Sequence, residues 1–374
     1  MLSMRHIPLA AATLWMVVSQ SAFADWETNM PVGVTEISRS VHDLHMTIFW
    51  ICVAIGVVVF GVMFWSILHH RKSKGAVPAQ FHESTTVEII WTLIPFVILI
   101  AMAVPATATL IKMYNTDDAE LDVKITGYQW KWHYEYMGED VAFFSNLATP
   151  NEEIHNQKAK NPNYLLEVDE PLVLPVGKKI RFLLTANDVI HAWWVPALAV
   201  KKDAIPGFIN ESWTIIDEPG IYRGQCAELC GQYHGFMPIV VKAVPEAEFR
   251  TWLAARKAEK AASSAAAERT WTREELIERG QEVYMKACAA CHQPTGAGIP
   301  GAFPALTNSP VVNGPVEAHA KLVIHGVQGT TMQAFGAQLD DVDLASVITF
   351  ERNALGNSTG DMISPQEIRA LKAK

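Results

Sequence analysis

Followed from its N-terminus, the chain passes from uninterrupted apolar runs to alternating patterns and then to helical ones. Met46 to Leu68 and Ile89 to Ile111 carry no charged residue. Each is long enough to cross a bilayer as a helix, because a hydrocarbon core of about 30 Å takes about 20 residues. Pro95 and Pro105 in the second run are kinks that a membrane helix tolerates, since neighbouring groups satisfy the freed carbonyls. An earlier run, Ile7 to Val18, is too short to span. With Arg5 and His6 before it and Ala22-Phe23-Ala24 after it, it predicts a secretory signal over residues 1–24 and a mature chain beginning near Asp25.

From Asp122 onward the apolar positions come in short alternating or β-rich runs: Val123 to Tyr136, Tyr164 to Val168, Ile180 to Leu184 and Ile239 to Val244. Pro, Gly and Asn-Asp turns separate them, and the pattern predicts an all-β sandwich or barrel. Around Glu246 to Glu268 the composition shifts to Ala, Lys, Glu and Ser, with no apolar face in KAEKAASSAAAE, which reads as a helical or flexible spacer. Glu274 to Ala287 and Asp340 to Ala354 then carry helical periodicity. The expected organisation is an N-terminal segment with a helical hairpin over 25–115, a β domain over 116–248, a linker over 249–271 and a small all-α domain over 272–374.

Between the two spans lies His69-His70-Arg71-Lys72-Ser73-Lys74, and the positive-inside rule places that cluster in the cytoplasm. Both long flanks then face outward, the side to which a secretory signal delivers the N-terminus. The net charge of −9 argues against nucleic acid and is compatible with a basic protein partner. Five cysteines occur as Cys52 inside the first span and two close pairs, Cys226/Cys230 and Cys288/Cys291. A lone cysteine among apolar residues behaves as a small hydrophobe. The pairs carry the chemistry.

His191 and the segment Cys226-Ala-Glu228-Leu-Cys230-Gly-Gln-Tyr-His234-Gly-Phe-Met237 supply two thiols, two imidazoles and a thioether, soft or borderline donors suited to copper. Gly231, Gly235 and Pro238 oppose a helix and favour a ligand loop between strands. A tetrahedral zinc site would leave Met237 idle and a blue-copper centre would strand one thiolate, whereas two coppers bridged by two thiolates use every donor, with the Glu228 carbonyl as a further weak ligand. Structural zinc and a Cys226–Cys230 disulfide remain the alternatives.

These residues resemble subunit II of the haem–copper oxidases over about residues 30 to 245. The pattern Cys-x-Glu-x-Cys-x3-His-x2-Met is complete, and the likeness extends to Val87-Glu88-Ile-Ile-Trp91-Thr-Leu-Ile-Pro95, to Gly127-Tyr-Gln-Trp130-Lys-Trp132-His-Tyr134-Glu135-Tyr136, to Asp188-Val-Ile-His191 and to Lys202-Asp203-Ala-Ile-Pro206-Gly207. The resemblance implies a cupredoxin-like barrel or sandwich holding a binuclear CuA centre on His191, Cys226, Glu228, Cys230, His234 and Met237. It implies that electrons enter at Trp130, and that the Glu228 carboxylate binds Mg²⁺ or Mn²⁺ shared with subunit I. Glu88 falls where the family places a carboxylate at the mouth of a proton path; read alone, it is an interfacial charge.

Cys288-Ala-Ala-Cys291-His292 is the C-x-x-C-H signature of covalent haem c, both thiols forming thioethers and His292 the proximal ligand. Met332, in Gly329-Thr-Thr-Met332-Gln-Ala-Phe335, resembles the methionine loop of small cytochromes c; His319 and His325 are its competitors as sixth ligand. The whole is similar to oxidases whose copper subunit carries its own cytochrome c domain. The expected function is electron entry: from a cytochrome c or another periplasmic donor, through haem c and CuA, to the haem/copper centre of subunit I. Oxygen reduction and proton translocation belong to the complex. Subunit I, subunit III and the lipid bilayer are the expected partners, in a bacterial inner membrane with both metal domains on the periplasmic side. A quinol oxidase subunit would lack the copper ligands, nitrous oxide reductase would lack the helix pair and the fused haem, and a copper-delivery protein needs no haem. Relatives that receive soluble cytochrome c use acids around the aromatic run; Glu135, Glu139 and Asp140 are available here, for such a donor or for the fused domain.

Overall fold

The computed structural model describes residues 29–80, 82–327, 330 and 332–373, so the signal sequence expected over 1–24 lies outside the described residues. The chain divides into two compact units, Met1–Trp132 with Ser145–Pro245, and His133–Phe144 with Glu246–Lys374.

In the first unit, α1 (Glu36–His69) and α2 (Thr85–Met113) contain the two apolar runs and extend beyond them. At 34 and 29 residues they are about 51 and 44 Å long, more than a bilayer core requires. Val57, Phe60, Trp65, Phe96 and Leu99 are exposed along them, as side chains that face lipid are. The start of α1 is fixed by a capping box: Thr35 accepts from the Ser38 amide and Ser38 answers to the Thr35 amide. The outer ends of both helices are tied down, Glu36 pairing with Lys112, Arg39 with Asp217, and the Trp213 indole donating to the Lys112 carbonyl at 3.2 Å. Val34 donates to Ala197 O at 2.9 Å, adding a backbone link to the β domain.

Ten strands follow: β1 Leu121–Tyr128, β2 Lys131–Tyr136, β3 Val141–Ser145, β4 Leu172–Pro175, β5 Lys179–Ala186, β6 His191–Val195, β7 Val200–Ala204, β8 Asn210–Ile215, β9 Gly220–Cys226 and β10 Pro238–Val244. In the first unit β1 pairs in parallel with β5, which pairs antiparallel with β8. A second sheet has the order β4-β10-β9-β6-β7, parallel only between β4 and β10. Val123, Ile125, Phe182, Leu184, Trp193 and Val241 bury their side chains completely, the inward half of the period-2 alternation. This is the all-β sandwich that the alternating runs predict, and it is cupredoxin-like, as the resemblance implies.

Two of those runs divide differently. Val123 to Tyr136 is two strands broken at Gln129 and Trp130. Tyr164 to Val168 is no strand: only the bridge Leu147–Val168 forms, and Leu165 adopts φ 58°, which turns the backbone out of the extended path and sends its amide to Thr149 Oγ1 at 3.1 Å.

The second unit joins the β2–β3 hairpin residues to α3 (Glu246–Glu268), to the longer helices α4 (Arg273–Ala287), α5 (Val316–His325), α6 (Asp341–Asn353) and α7 (Pro365–Lys372), and to the single helical turn Ala289–His292. The spacer is thus one continuous helix, and Phe249, Leu253 and Ala267 are buried along it. Helices α4 and α6 cross closely at Gly280, where a Cβ would lie 2.1 Å from Ser346 O. Around that crossing Leu276, Tyr284, Leu344, Ile348 and Ile368 form the core. Arg352 is buried and satisfied by Val312 O, by Gly314 O at 2.9 Å and by Asp361 at 2.6 Å.

Candidate metal centres

The two sheets deliver the donor atoms from rigid positions. His191 opens β6, Cys226 closes β9, and Met237 immediately precedes β10, so the loop carrying Cys230 and His234 is pinned at both ends. The Cys226 and Cys230 sulfurs lie 3.9 Å apart and form no disulfide. His191 Nδ1 is 3.9 Å from the Cys226 sulfur, and His234 Nδ1 is 3.5 Å from that of Cys230. Met237 Sδ lies 3.5 Å from Cys230 Sγ, and the Glu228 carbonyl oxygen 3.3 Å from Cys226 Sγ. All six candidates converge around one pair of sulfurs. Among the described residues, His191, Cys226 and Cys230 form the one group of three metal-capable side chains within reach of each other.

The thiols are electrostatically prepared for a soft cation. A hydrogen bond from Cys230, helped by His191, drives the Cys226 thiol far below its ordinary range; the same interaction and burial hold the proton on Cys230. Both imidazoles turn Nδ1 toward a sulfur. Two adjacent thiolates, two imidazole nitrogens and two weak donors fit a pair of coppers better than one tetrahedral zinc.

A surrounding layer orients these donors. Asp188 Oδ1 accepts from His191 Nε2 at 2.9 Å and from the Val189 amide at 2.7 Å, while its Oδ2 accepts from the Gln129 amide at 2.8 Å. These hydrogen bonds outweigh burial and lower the Asp188 carboxyl pKa, and the pairing raises that of His191 against its own burial. The Trp130 indole and the Gln129 side-chain Nε2 both donate to the Cys230 carbonyl, at 3.2 and 2.9 Å. The Trp130 ring meets Tyr233 edge-on at 4.9 Å. Trp132 donates to Met237 O at 3.3 Å. Behind His191 stands Gly127, where a Cβ would lie 2.7 Å from the imidazole. Sequence reasoning singled out Trp130 but gave no role to Asp188, Gln129 or Gly127. The spacing of Asp188 three residues before His191 was the available signal.

The other expected site residues lie apart. The Glu228 side chain points to solvent. Glu88 sits in the first turn of α2, exposed, where its carboxylate accepts from the Ser84 amide at 3.4 Å and so caps the helix.

In the second unit Cys288 ends α4, and the turn Ala289–His292 brings Cys291 and His292 beside it. His292 Nδ1 donates to Pro304 O at 2.9 Å, which fixes the ring and leaves Nε2 as the nitrogen able to bind iron. Burial raises the pKa of both thiols. Their chemistry suits covalent attachment through sulfur. The Met332 carbonyl accepts from Val327 N at 2.9 Å and its amide donates to Thr330 Oγ1 at 3.1 Å, while Gly329 and Thr331 lie outside the described residues. His319, buried, is engaged with Glu351 at 3.0 Å, and His325 is exposed at the end of α5.

Three family models match the chain: cytochrome c oxidase subunit II, transmembrane domain, over residues 24–108; cytochrome c oxidase subunit II, periplasmic domain, over 121–244; and cytochrome c oxidase, cbb3-type, subunit III, over 261–350. A probable cytochrome c oxidase subunit 2 of Rickettsia felis is 36% identical over 250 residues, 66% of this chain and 78% of that one. The corresponding protein of Rickettsia conorii is 37% identical over 252 residues, again 66% and 78%. The solved periplasmic domain of subunit II of cytochrome oxidase of Bradyrhizobium japonicum is 42% identical, covering 38% of this chain and 98% of its own, with a TM-score of 0.35.

Proposed function

Because the chain belongs to the cytochrome c oxidase subunit II family and carries a cytochrome c domain, we propose that it is the electron-entry subunit of a membrane-bound oxidase. In this reading a cytochrome c or another periplasmic donor reduces the haem domain, the electron passes to the copper site, and subunit I receives it. The oxidase complex couples that flow to oxygen reduction and proton translocation. Bound copper and haem c each supply one-electron exchange at the places these side chains prepare.

The observation that carries the proposal is the convergence of His191, Cys226, Glu228 O, Cys230, His234 and Met237 on two sulfurs 3.9 Å apart. Asp188 holds His191 with Nδ1 toward the sulfurs, and Gln129 and Trp130 hold the backbone of Cys230. Buried Cys226, Cys230 and Met237 exclude water from the centre. Trp130 lies against the ligand loop and provides an aromatic path to it. Cys288 and Cys291 would anchor the haem, with His292 and Met332 on its iron. Glu228 would turn its carboxylate to Mg²⁺ or Mn²⁺ at the boundary with subunit I, and Glu88 would lie at the cytoplasmic mouth of the proton path in that subunit. Residues 1–24 would be removed on export to the periplasmic side of an inner membrane, and subunit III would complete the assembly.

The test is metal analysis, optical spectroscopy and electron paramagnetic resonance on the full chain purified in its complex. Two coppers sharing one unpaired electron, with one low-spin haem c from this chain, is the expected result. A single localised copper, or zinc, would refute the electron-entry assignment.

A further inference from the structure

The acids at the tip of the β2–β3 hairpin already have an occupant. Glu139 Oε2 lies 2.5 Å from the Lys257 ammonium, and Arg250 approaches its other oxygen at 3.8 Å. Asp140 pairs with Lys260. All three cations belong to α3. They recur at spacings of seven and three residues, which places them along one side of the helix.

Aromatic packing seats the same helix. The Trp252 ring is 5.2 Å from that of Tyr136 and 6.1 Å from that of Phe143, and Arg256 lies over Phe143 at 5.1 Å. Phe249 and Leu253 are buried to 2% and 4% exposure. At the far end Ser263 meets Asp340 at 2.5 Å, Gln366 donates to Ala267 O at 2.7 Å, and Arg369 pairs with Glu268 at 2.5 Å. The helix is fastened to the hairpin at one end and to the haem domain at the other.

We infer that the acidic hairpin tip is an intramolecular dock for this helix and is closed to a basic soluble electron carrier, which delivers its electron to the haem domain instead. Charge supports this: Glu139 and Asp140 are each paired with a lysine of the helix, so neither carboxylate stands open to steer a cationic partner. The packed rings remove the apolar surface that such a partner would cover. The functional half of the inference rests on the electron-entry proposal.

The experiment uses the purified oxidase complex with the full chain, in wild-type form and as the double variant Glu139→Gln/Asp140→Asn and the single variant Trp252→Ala. Two readouts are taken. Elastase digestion reports cleavage in the alanine-rich part of α3, and oxidation of a basic mitochondrial cytochrome c gives KM against ionic strength. In both variants cleavage is expected to rise at least about fivefold as the helix unseats more often. The KM of the double variant stays within about twofold of wild type, with the same salt dependence. Unchanged cleavage in both variants would overturn the dock, and a KM raised several-fold in the double variant would overturn the closed surface. If the wild-type complex passes electrons to oxygen neither from this cytochrome nor from ascorbate with a one-electron mediator, the electron-entry proposal fails, and the digestion still decides whether the helix is docked.

Discussion

The Trp130 indole donates its N–H to the carbonyl oxygen of Cys230, 3.2 Å away, and so joins an aromatic side chain to the backbone of a candidate copper ligand. Trp130→Phe keeps a ring in place and removes that bond. The Gln129 side-chain Nε2, at 2.9 Å, still satisfies the carbonyl, so the stability cost should be about 1 kcal/mol or less. Copper content should be unchanged and electron entry slowed, which stopped-flow reduction of the copper site would measure.

Cys230→Ser removes one of two thiolates and with it any bridge between two metals. Loss of the binuclear copper spectrum with haem c absorption intact is expected. Retention of the near-infrared copper band in this variant would show that the sulfur is not a ligand.

Asp188→Asn takes away the carboxylate that faces His191 Nε2 at 2.9 Å. Removing such a partner typically weakens metal affinity by about 10–100-fold. Competition for copper with a chelator of known affinity checks this, and the haem site serves as an internal control.

Met332→His should lower the haem potential by something on the order of 0.1–0.3 V, a fraction of the roughly 0.8 V that axial ligation spans. Spectropotentiometry reads the shift, and an unchanged midpoint would assign the sixth position to another residue.

Acid should weaken the C-terminal helical domain through Asp361. The hydrogen bond from Arg352 holds its carboxyl below the usual carboxylate range. A depressed native pKa gives stabilisation that is full above the unfolded value of about 3.9 and is lost as pH falls through the native value. Arg352 is buried, but the Asp361 side chain is 41% exposed, so Asp361→Asn should cost about 1–3 kcal/mol at neutral pH, less than a fully buried pair. Thermal unfolding of variant and wild type between about pH 3 and 7 should converge at the acid end.

The donor types at both metal centres were legible because Cys226, Cys230, His234 and Met237 sit close together in sequence, and C-x-x-C-H fits within five residues. The spans were legible from continuous apolarity. Asp188 was harder: its role depends on a turn that brings its carboxylate back onto His191, and no local period encodes that. That the spacer is seated by packing was hidden for a similar reason. Its Ala-rich half has no apolar face, whereas the turn before it carries Phe249, Trp252 and Leu253, whose partners Tyr136 and Phe143 are over a hundred residues away. The failure at Tyr164 to Val168 has a local cause, the left-handed backbone of Leu165, which β-rich composition does not reveal.

With Gly127 behind it, the His191 imidazole is closed in by main chain on one side, by Asp188 on its outer nitrogen and by the Trp132 ring at 6.0 Å. A ligand enclosed in this way would keep its position as the charge on a bound copper changed by one. In the electron-entry reading the nuclei would then rearrange little with each electron, and a low reorganisation energy would let the centre turn over quickly on a small driving force.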